Sequence, residues 1–311
     1  SMRCTSLPGR VTPMVLPLIS LSEAISGRVT STIWVLPPRI ITTLIGKPFD
    51  APIIAEHINR DEELFYGRPG RVTPDEIVKQ LPEVPKRQIL AEPAQRNTAP
   101  AIALAAHILQ QQDPDAVMGV FPSDHVISRP SDYVKLVRSA FKSAAEGNLV
   151  VLGIKPRWAE TGYGYIKPNG RALVGKLGTL KGYRVQKFVE KPNAAKAAQY
   201  LKAGNYFWNS GMFVWKAATI LEEIHRHQPA LGKVMDRIAQ LLKTGAPKQT
   251  IDEVYRWATS VSIDNGVMEL SSKAAVVPVS FGWSDVGSWG SLDEVAAKDK
   301  AGNVMSGRVV D

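Results

Sequence analysis

Residues 116–154 read AVMGVFPSDHVISRPSDYVKLVRSAFKSAAEGNLVVLGI, and this stretch decides the fold class. Its two ends, 116–121 and 149–154, are short apolar runs bounded by turn residues, which is typical of buried strands. Between them, apolar residues recur at the spacing of one helix face, and Gly147 stands where a C-terminal cap is expected. The residues of this face are Tyr133, Leu136, Val137, Ala140, Phe141 and Ala144. The stretch therefore predicts a βαβ unit and an α/β fold.

The same alternation of strand-like and helix-like runs continues from about residue 75 and predicts a layered α/β sheet. A helix is expected over 101–111, because Asn97 or Thr98 can cap it and Pro100 fits its first turn. The residues of its inward face are Ile102, Ala105 and Leu109. The first 74 residues differ, since they are rich in Pro, Ser, Thr and Ile and show no sustained helical period.

The composition of the 311 residues, 44% apolar and 22% charged, is that of an ordinary globular protein. No apolar run approaches the roughly 18 residues of a membrane span, so we expect no transmembrane helix. Cys4 is the single cysteine, which excludes an intrachain disulfide and suits a reducing cytoplasm. The formal net charge is +9, but Lys and Arg are dispersed, so phosphorylated small molecules explain the sign as well as nucleic acid does.

Two carboxylates follow predicted strands at distant points of the chain. Asp124 comes just after the strand at 116–121, at a carboxyl end where ligands of open α/β sheets bind. Asp285 lies among Trp and Gly residues directly after a strand expected at 274–279. The two carboxylates could share one hard cation such as Mg²⁺. The alternatives are a turn Asp that caps the next helix and a Trp-rich packing loop.

Three further motifs offer polar groups to a ligand. Gly162 and Gly164 bracket a turn in which the backbone can approach a sugar ring closely, although such pairs also serve hairpins. Glu190 and Lys191 end a strand and could accept sugar hydroxyls and pair with phosphate, or be surface residues. Asn209 lies inside an aromatic run and must be hydrogen-bonded, either to a backbone turn or to a sugar.

The histidines show no metal-ligand spacing. His225 and His227 lie two positions apart on an expected helix and so face different directions. We expect both to be exposed to solvent. His125, in the loop with Asp124, has no partner at ligand spacing either.

Taken in order, six motifs resemble the mannose-1-phosphate guanylyltransferase family. They are EPAQRNTAP at 92–100, SDH at 123–125, ETGYGY at 160–165, FVEKP at 188–192, WNSGMF at 208–213 and WSDVGSW at 283–289. The resemblance covers about 75–292. It implies a Rossmann-like mixed α/β sheet, the nucleotidyltransferase domain, with helices on both faces.

The resemblance also implies the reaction: mannose 1-phosphate condenses with GTP to give GDP-mannose and pyrophosphate, by in-line attack at the α-phosphorus and with Mg²⁺ as cofactor. It makes Asp124 and Asp285 the metal ligands and, together with the phosphate contact Lys191, the catalytic residues. The substrate-binding residues that it implies are Glu92, then Arg96, Asn97 and Thr98 on the guanine side, and Gly164, Glu190 and Asn209 around the mannose.

One family feature is not found in the sequence. Members open with a glycine-rich loop whose Arg and Lys cradle the triphosphate, whereas 8–10 (PGR) and 26–28 (SGR) lack the multiple glycines of such a turn. We therefore expect a divergent N-terminal segment at 1–74 that is part of the same domain, and a nucleotidyltransferase core at 75–295. Residues 296–311 are expected to start a C-terminal β region that is truncated relative to the family.

Two other functions stay open at this point. The chain could be a non-catalytic sugar-nucleotide-binding protein, or a chain made inactive by the lack of the phosphate loop. It could also use glucose 1-phosphate with UTP or dTTP, against which only the family likeness of the RNTAP string argues. We expect GTP and mannose 1-phosphate as partners, no nucleic acid, no membrane and a cytoplasmic location, and the resemblance leaves a homodimer open.

Overall fold

The computed structural model describes residues 34–35, 53–55, 89–122, 125–172 and 181–285. In these residues the strands are β1 (Trp34–Val35), β2 (Ile53–Ala55), β3 (Ile89–Ala91), β4 (Val117–Phe121), β5 (Val126–Ile127), β6 (Leu149–Ile154), β7 (Tyr165–Ala172), β8 (Tyr183–Val189), β9 (Phe207–Lys216), β10 (Ala274–Val279) and β11 (Trp283–Ser284). The helices are α1 (Thr98–Gln112), α2 (Pro130–Ala145), α3 (Ala194–Ala203), α4 (Ala217–His227), α5 (Pro229–Lys243) and α6 (Lys248–Tyr255), with a π-helical turn at Asp264–Met268. None of these helices is long and apolar enough to cross a membrane.

A mixed sheet of seven strands forms the centre of the fold, in the order β1-β4-β9-β6-β10-β8-β7. Strand β10 runs parallel to β6, whereas β9 runs antiparallel to both β4 and β6. The predicted βαβ unit is therefore present as β4, α2 and β6, but β9 is inserted between its two strands. Nothing local to 116–154 encodes this insertion, because the inserted strand comes more than fifty residues later in the chain.

Helices cover both faces of the sheet, as predicted. Strand β6 shows the reason: all six of its residues are buried, and they alternate between two core clusters. Leu149 and Val151 pack on the side of α1, α4, α5 and α6. Val150 and Leu152 pack on the side of α2 and α3. A strand buried on both faces has a continuous apolar run rather than an alternating one, which explains the sequence of β6.

The two predicted helices are confirmed, with slightly wider bounds. The first, α1, begins at Thr98, and the N-cap Asn97 accepts a hydrogen bond from the Thr98 backbone N at 2.9 Å. Most of its residues are buried, including the three predicted to face inward. The second, α2, is followed by Gly147 at φ +87°, a conformation that favours glycine.

The first 74 residues contribute two described strands, and each pairs with a strand from the rest of the chain. Strand β1 lies antiparallel to β4 at the edge of the main sheet. Strand β2 lies parallel to β3, just before the loop that leads into α1. The strings at 8–10 and 26–28 lie outside the described residues.

Replacing Ile102 with Ala should lower the free energy of unfolding by about 2–5 kcal/mol, because it leaves a cavity in a core that relaxes only in part. Ile102 is fully buried, at 0% exposure. Urea unfolding measures the change. Gln112→Ala, at the exposed end of the same helix, is the control and should change stability by less than about 0.5 kcal/mol. Equal losses in the two variants would contradict the packing described.

Candidate active site

Gly164, Glu190 and Asn209, which three separate motifs supply, are brought together in one pocket. Asn209 N donates to Gly164 O at 2.8 Å, which joins the residue before β7 to the centre of the sheet. A Cβ on Gly164 would overlap Glu190 Oε2 and lie 3.0 Å from Asn209 Cβ. Only glycine fits between these side chains, so close packing explains the second glycine of the Gly-Tyr-Gly string.

The side chain of Asn209 is held at both ends. Its Oδ1 accepts from Gly211 N at 3.0 Å, and its Nδ2 donates to Asp264 Oδ1 at 2.7 Å. Asn209 is buried, so these bonds answer the question that the sequence left open: the partners are a backbone turn and a carboxylate.

The carboxyl group of Glu190 is strongly perturbed by its surroundings. Its backbone N donates to Glu269 Oε1 at 2.8 Å, and Lys191 Nζ lies 3.8 Å from its Oε1. Burial, together with the negative charge of Asp264, raises the pKa of Glu190 to about 7, and Lys191 and the Asn209 side chain offset only part of this. Lys191 itself is 67% exposed and adopts a positive φ of 43°, so its ammonium group lies at the rim.

The loop of Arg96, Asn97 and Thr98 is bound to the segment that follows α6. Arg96 Nε and Nη2 both donate to Arg256 O, at 3.2 and 2.5 Å, and Thr98 Oγ1 accepts from Ile263 N at 2.7 Å. Backbone bonds from Val261 N to Arg96 O and from Ala99 N to Val261 O complete the contact. The side chains predicted for the guanine side therefore also fix the shape of their own loop.

Glu92 lies behind this loop rather than on its surface. It is 7% exposed and accepts a hydrogen bond from the Tyr255 hydroxyl, at the end of α6. Its geometry makes it an anchor between the start of the loop and α6, and a direct substrate contact for Glu92 stays a prediction.

Asp285 is held by Tyr163, which donates its hydroxyl hydrogen to Asp285 Oδ1 at 2.5 Å. The Tyr163 ring packs edge-on against Trp208 and Trp283, so aromatic surface surrounds the carboxylate. This bond links the turn before β7 with the segment after β11. Tyr163 and Gly164 are consecutive, so the predicted metal carboxylate and the Glu190 pocket adjoin the same turn.

Asp124, the second predicted metal ligand, lies outside the described residues. The strands next to the two carboxylates are nevertheless paired: β5, which begins two residues after Asp124, lies antiparallel to β11, which ends just before Asp285. The two chain segments that carry the carboxylates are therefore neighbours. Within the described part of the chain, no group of three or more His, Cys, Asp or Glu side chains is arranged to hold a metal ion.

His125 is neutral in this site and is fixed by a tryptophan. Burial lowers the pKa of His125 to about 4, which the charge of Asp285 only partly offsets. Trp283 Nε1 donates to His125 Nδ1 at 3.1 Å. Because Nδ1 accepts this bond, the single proton of the neutral ring is on Nε2.

The sequence analysis missed Asp264 and Glu269, which complete the pocket around Glu190 and Asn209. Asp264 begins the π-helical turn and Glu269 caps its end, where Glu269 N donates to Asp264 O at 2.9 Å over five residues. An ordinary helical period does not place these two positions on one side, so their pairing carried no visible signal.

The prediction that His225 and His227 are exposed to solvent is wrong for His227, whereas the side chain of His225 is 39% exposed. His225 Nε2 lies 2.8 Å from Asp236 Oδ2, and His227 Nε2 lies 3.4 Å from Glu223 Oε2 with its side chain 19% exposed. Although burial acts to lower it, the hydrogen bonds to Asp236 and to the Leu221 carbonyl raise the pKa of His225. Both histidines contact carboxylates, which lie on α4 and α5. The spacing of the histidines in the sequence does not reveal these contacts.

A protein-family model described as nucleotidyl transferase matches residues 39–302. The chain belongs to the nucleotidyl transferase family. That match covers most of the chain and includes every site residue discussed above. It also includes the seven-stranded sheet from β4 onward.

Relatives with specific names support the resemblance seen in the motifs. Mannose-1-phosphate guanylyltransferase of Sinorhizobium fredii is 41% identical over 255 residues, which are 78% of this chain and 48% of that protein. Mannose-1-phosphate guanylyltransferase RfbM of Salmonella typhimurium is 42% identical over 238 residues, 75% of this chain and 48% of that protein. A solved structure, named mannose-1-phosphate geranyltransferase from Thermus thermophilus, is 33% identical with a TM-score of 0.61, covering 78% of this chain and 63% of that chain.

These comparisons confirm the likeness to mannose-1-phosphate guanylyltransferases that the six motifs indicated. The chain spans about half the length of the curated relatives it matches. The roles of individual site residues stay predictions, since the comparisons do not assign them.

Gly164→Ala should destabilise the protein by about 1–3 kcal/mol, because the new methyl group overlaps Glu190 Oε2 and must displace it. Thermal unfolding measures the change. Gly162→Ala in the same turn is the matched control, since its Cβ would meet only the carboxylate of Glu160, at 3.3 Å. If both variants unfold at the wild-type temperature, the close approach at Gly164 is wrong.

Proposed function

We propose that this chain transfers GMP from GTP to mannose 1-phosphate, which yields GDP-mannose and pyrophosphate. The observation that carries the proposal is the turn at Tyr163 and Gly164. Tyr163 holds the Asp285 carboxylate, and the next residue forms the floor of the pocket with Glu190 and Asn209. The reaction needs this adjacency, because the phosphate of the sugar must lie beside the nucleotide phosphate that it attacks.

In the proposed reaction, a phosphate oxygen of mannose 1-phosphate forms a bond to the α-phosphorus of GTP. The bond from that phosphorus to the bridging oxygen breaks, and pyrophosphate leaves with the electron pair. Glu190 and the Asn209 pocket orient the sugar by accepting and donating hydrogen bonds to its hydroxyls. Lys191, at the exposed rim, pairs with a phosphate of the substrate.

We further propose that Asp285, together with Asp124, holds Mg²⁺. The donors fit the ion, since carboxylate oxygens are the ligands that Mg²⁺ prefers, and Asp285 is kept in one orientation by Tyr163. Bound there, the ion would neutralise charge on the phosphates. The loop of Arg96, Asn97 and Thr98 would bind the guanine base of GTP, with its shape fixed by the segment at 256–263.

The location and the remaining partners also belong to this proposal. The single cysteine supports a cytoplasmic location, and no membrane partner is part of the proposal. The dispersed positive charge supports phosphorylated small molecules over nucleic acid. Homodimerisation is an open part of the proposal, to be decided by the mass of the protein in solution.

Asp285→Ala should lower the rate of pyrophosphate release from GTP and mannose 1-phosphate, in the presence of Mg²⁺, by at least about 100-fold, because a charge-stabilising group of the transition state is lost. The matched control is Asp252→Ala, an aspartate on α6 whose partner is Lys248, away from the pocket. It should leave the rate unchanged.

Turnover that survives in Asp285→Ala would contradict the assigned role of this carboxylate. Wild-type protein that binds GDP-mannose but releases no pyrophosphate would support the second candidate, a sugar-nucleotide-binding protein. The sequence favours that candidate in one respect, since no glycine-rich phosphate loop is recognisable in it.

A further inference from the structure

Asp264 is a titratable group that none of the six motifs contains, and it lies at the base of the pocket. It starts the π-helical turn, and its Oδ1 accepts the hydrogen bond from Asn209 Nδ2 at 2.7 Å. The opposite end of the Asn209 amide is fixed by Gly211 N, which can only donate. Asn209 must therefore turn its NH₂ group toward Asp264, and Asp264 must present an acceptor oxygen.

Glu190 faces the same space, but its carboxyl group has no comparable donor. Its Oε2 is buried over Gly164 and, among the described residues, has no hydrogen-bond partner. The charged groups around it are Asp264 and Glu269, at the start and the C-cap of the π-helical turn, and its own neighbour Lys191, whose side chain is largely in solvent. Glu190 therefore has two negatively charged neighbours and one positively charged neighbour, which is exposed.

Two carboxyl groups that share a partly dry site do not both ionise readily. Burial raises the pKa of Asp264 as well as that of Glu190, and Asn209 acts to lower both. The two groups differ in geometry, because Asn209 Nδ2 lies 2.7 Å from Asp264 Oδ1, whereas Glu190 Oε2 has no hydrogen-bond partner among the described residues. Since an N–H donor stabilises the ionised form, the charge is assigned to Asp264 and the proton to Glu190. The pKa of Glu190, raised to about 7 by burial and by Asp264, agrees with this assignment.

We propose that Asp264 is a positioning residue of the sugar pocket, which holds the Asn209 amide in one orientation and, by its charge, keeps a proton on Glu190 until the sugar binds. The inference rests on the proposed function for the identity of the sugar. A sugar hydroxyl that donates to Glu190 is bound more strongly by the ionised carboxylate than by the neutral carboxyl group, so binding favours release of the proton. Affinity for the sugar nucleotide should therefore rise with pH through the pKa of Glu190 and level off above it.

The direct test is a ¹³C-carboxyl NMR titration of Glu190 in the full chain, with its signal assigned by loss in Glu190→Gln. Wild-type Glu190 should titrate near pH 7. Asp264→Asn keeps an acceptor oxygen for Asn209 but removes the charge, so it should lower the pKa of Glu190 by about one unit. Glu269→Gln should lower it less, and Asp252→Asn on α6, away from the pocket, should not change it.

An ordinary carboxyl pKa for Glu190 in the wild type, or an unchanged one in Asp264→Asn, would overturn the inference. The circular dichroism spectrum of each variant checks that it is folded. If Asp264→Asn fails to fold, the same titration is made with Asp264→Ser, which also removes the charge and should also lower the pKa of Glu190; an unchanged pKa would overturn the inference.

The second test measures the affinity for GDP-mannose by calorimetry. Comparing the variants with the wild type removes any contribution from titration of the ligand itself. Wild-type affinity should increase about tenfold from pH 6 to pH 8, as expected for release of one proton with a pKa near 7, and only about twofold in Asp264→Asn. Equal pH dependence in both would overturn the role in binding. Absence of GDP-mannose binding at every pH would overturn the proposed function, while the NMR titration would still decide where the proton lies.

Discussion

Strand β9 has to be buried on both faces and bonded along both edges, and the position of the site depends on this constraint. Its residues pair with β6 on one side and with β4 and the start of β7 on the other. Asn209 therefore lies between β6, where it pairs with Gly153, and the residue that precedes β7. The bond from Asn209 N to Gly164 O joins this position to the turn that carries Tyr163.

Two short segments connect Asn209 and Gly164 to the other residues of the candidate site. The turn at 163–164 connects the pocket to Asp285 through the Tyr163 hydroxyl. The segment at 261–264 connects the same pocket to the loop of Thr98, through Ile263 N, and to Asn209, through Asp264. Catalytic groups gain precision when supporting hydrogen bonds hold them, and here the supports are main-chain atoms or half-buried side chains.

Much of the fold could be predicted from the sequence because its signals are local. The helical period between residues 133 and 144, and the apolar runs of β4, β6 and β10, each depend only on their own residues. The place of β9 between β4 and β6 could not be predicted, because pairing between distant strands depends on the whole sheet rather than on either strand. Two strands that pair with β9, namely β4 and β6, were expected to be neighbours of each other because they belong to the predicted βαβ unit.

The candidate site also contains some residues that the sequence predicted and others that it did not. The sequence identified Gly164, Glu190, Asn209 and Asp285, each of which stands out as an unusual residue at the end of a strand or within an aromatic run. It did not identify Asp264, because a π-helical turn shifts the helical period by one residue and leaves no trace in the pattern. It also could not show that Glu92 lies behind its loop, held by Tyr255 from a helix more than 150 residues away.

The central claim is that one turn joins the sugar pocket to the carboxylate of the phosphate site. A crystal structure of the chain with GDP-mannose and Mg²⁺ tests it most directly. The account predicts the mannose ring over Gly164, within hydrogen-bonding distance of Glu190 or Asn209, and the diphosphate toward Asp285. A sugar bound away from Gly164, or a diphosphate on the far side of the pocket from Asp285, would contradict it.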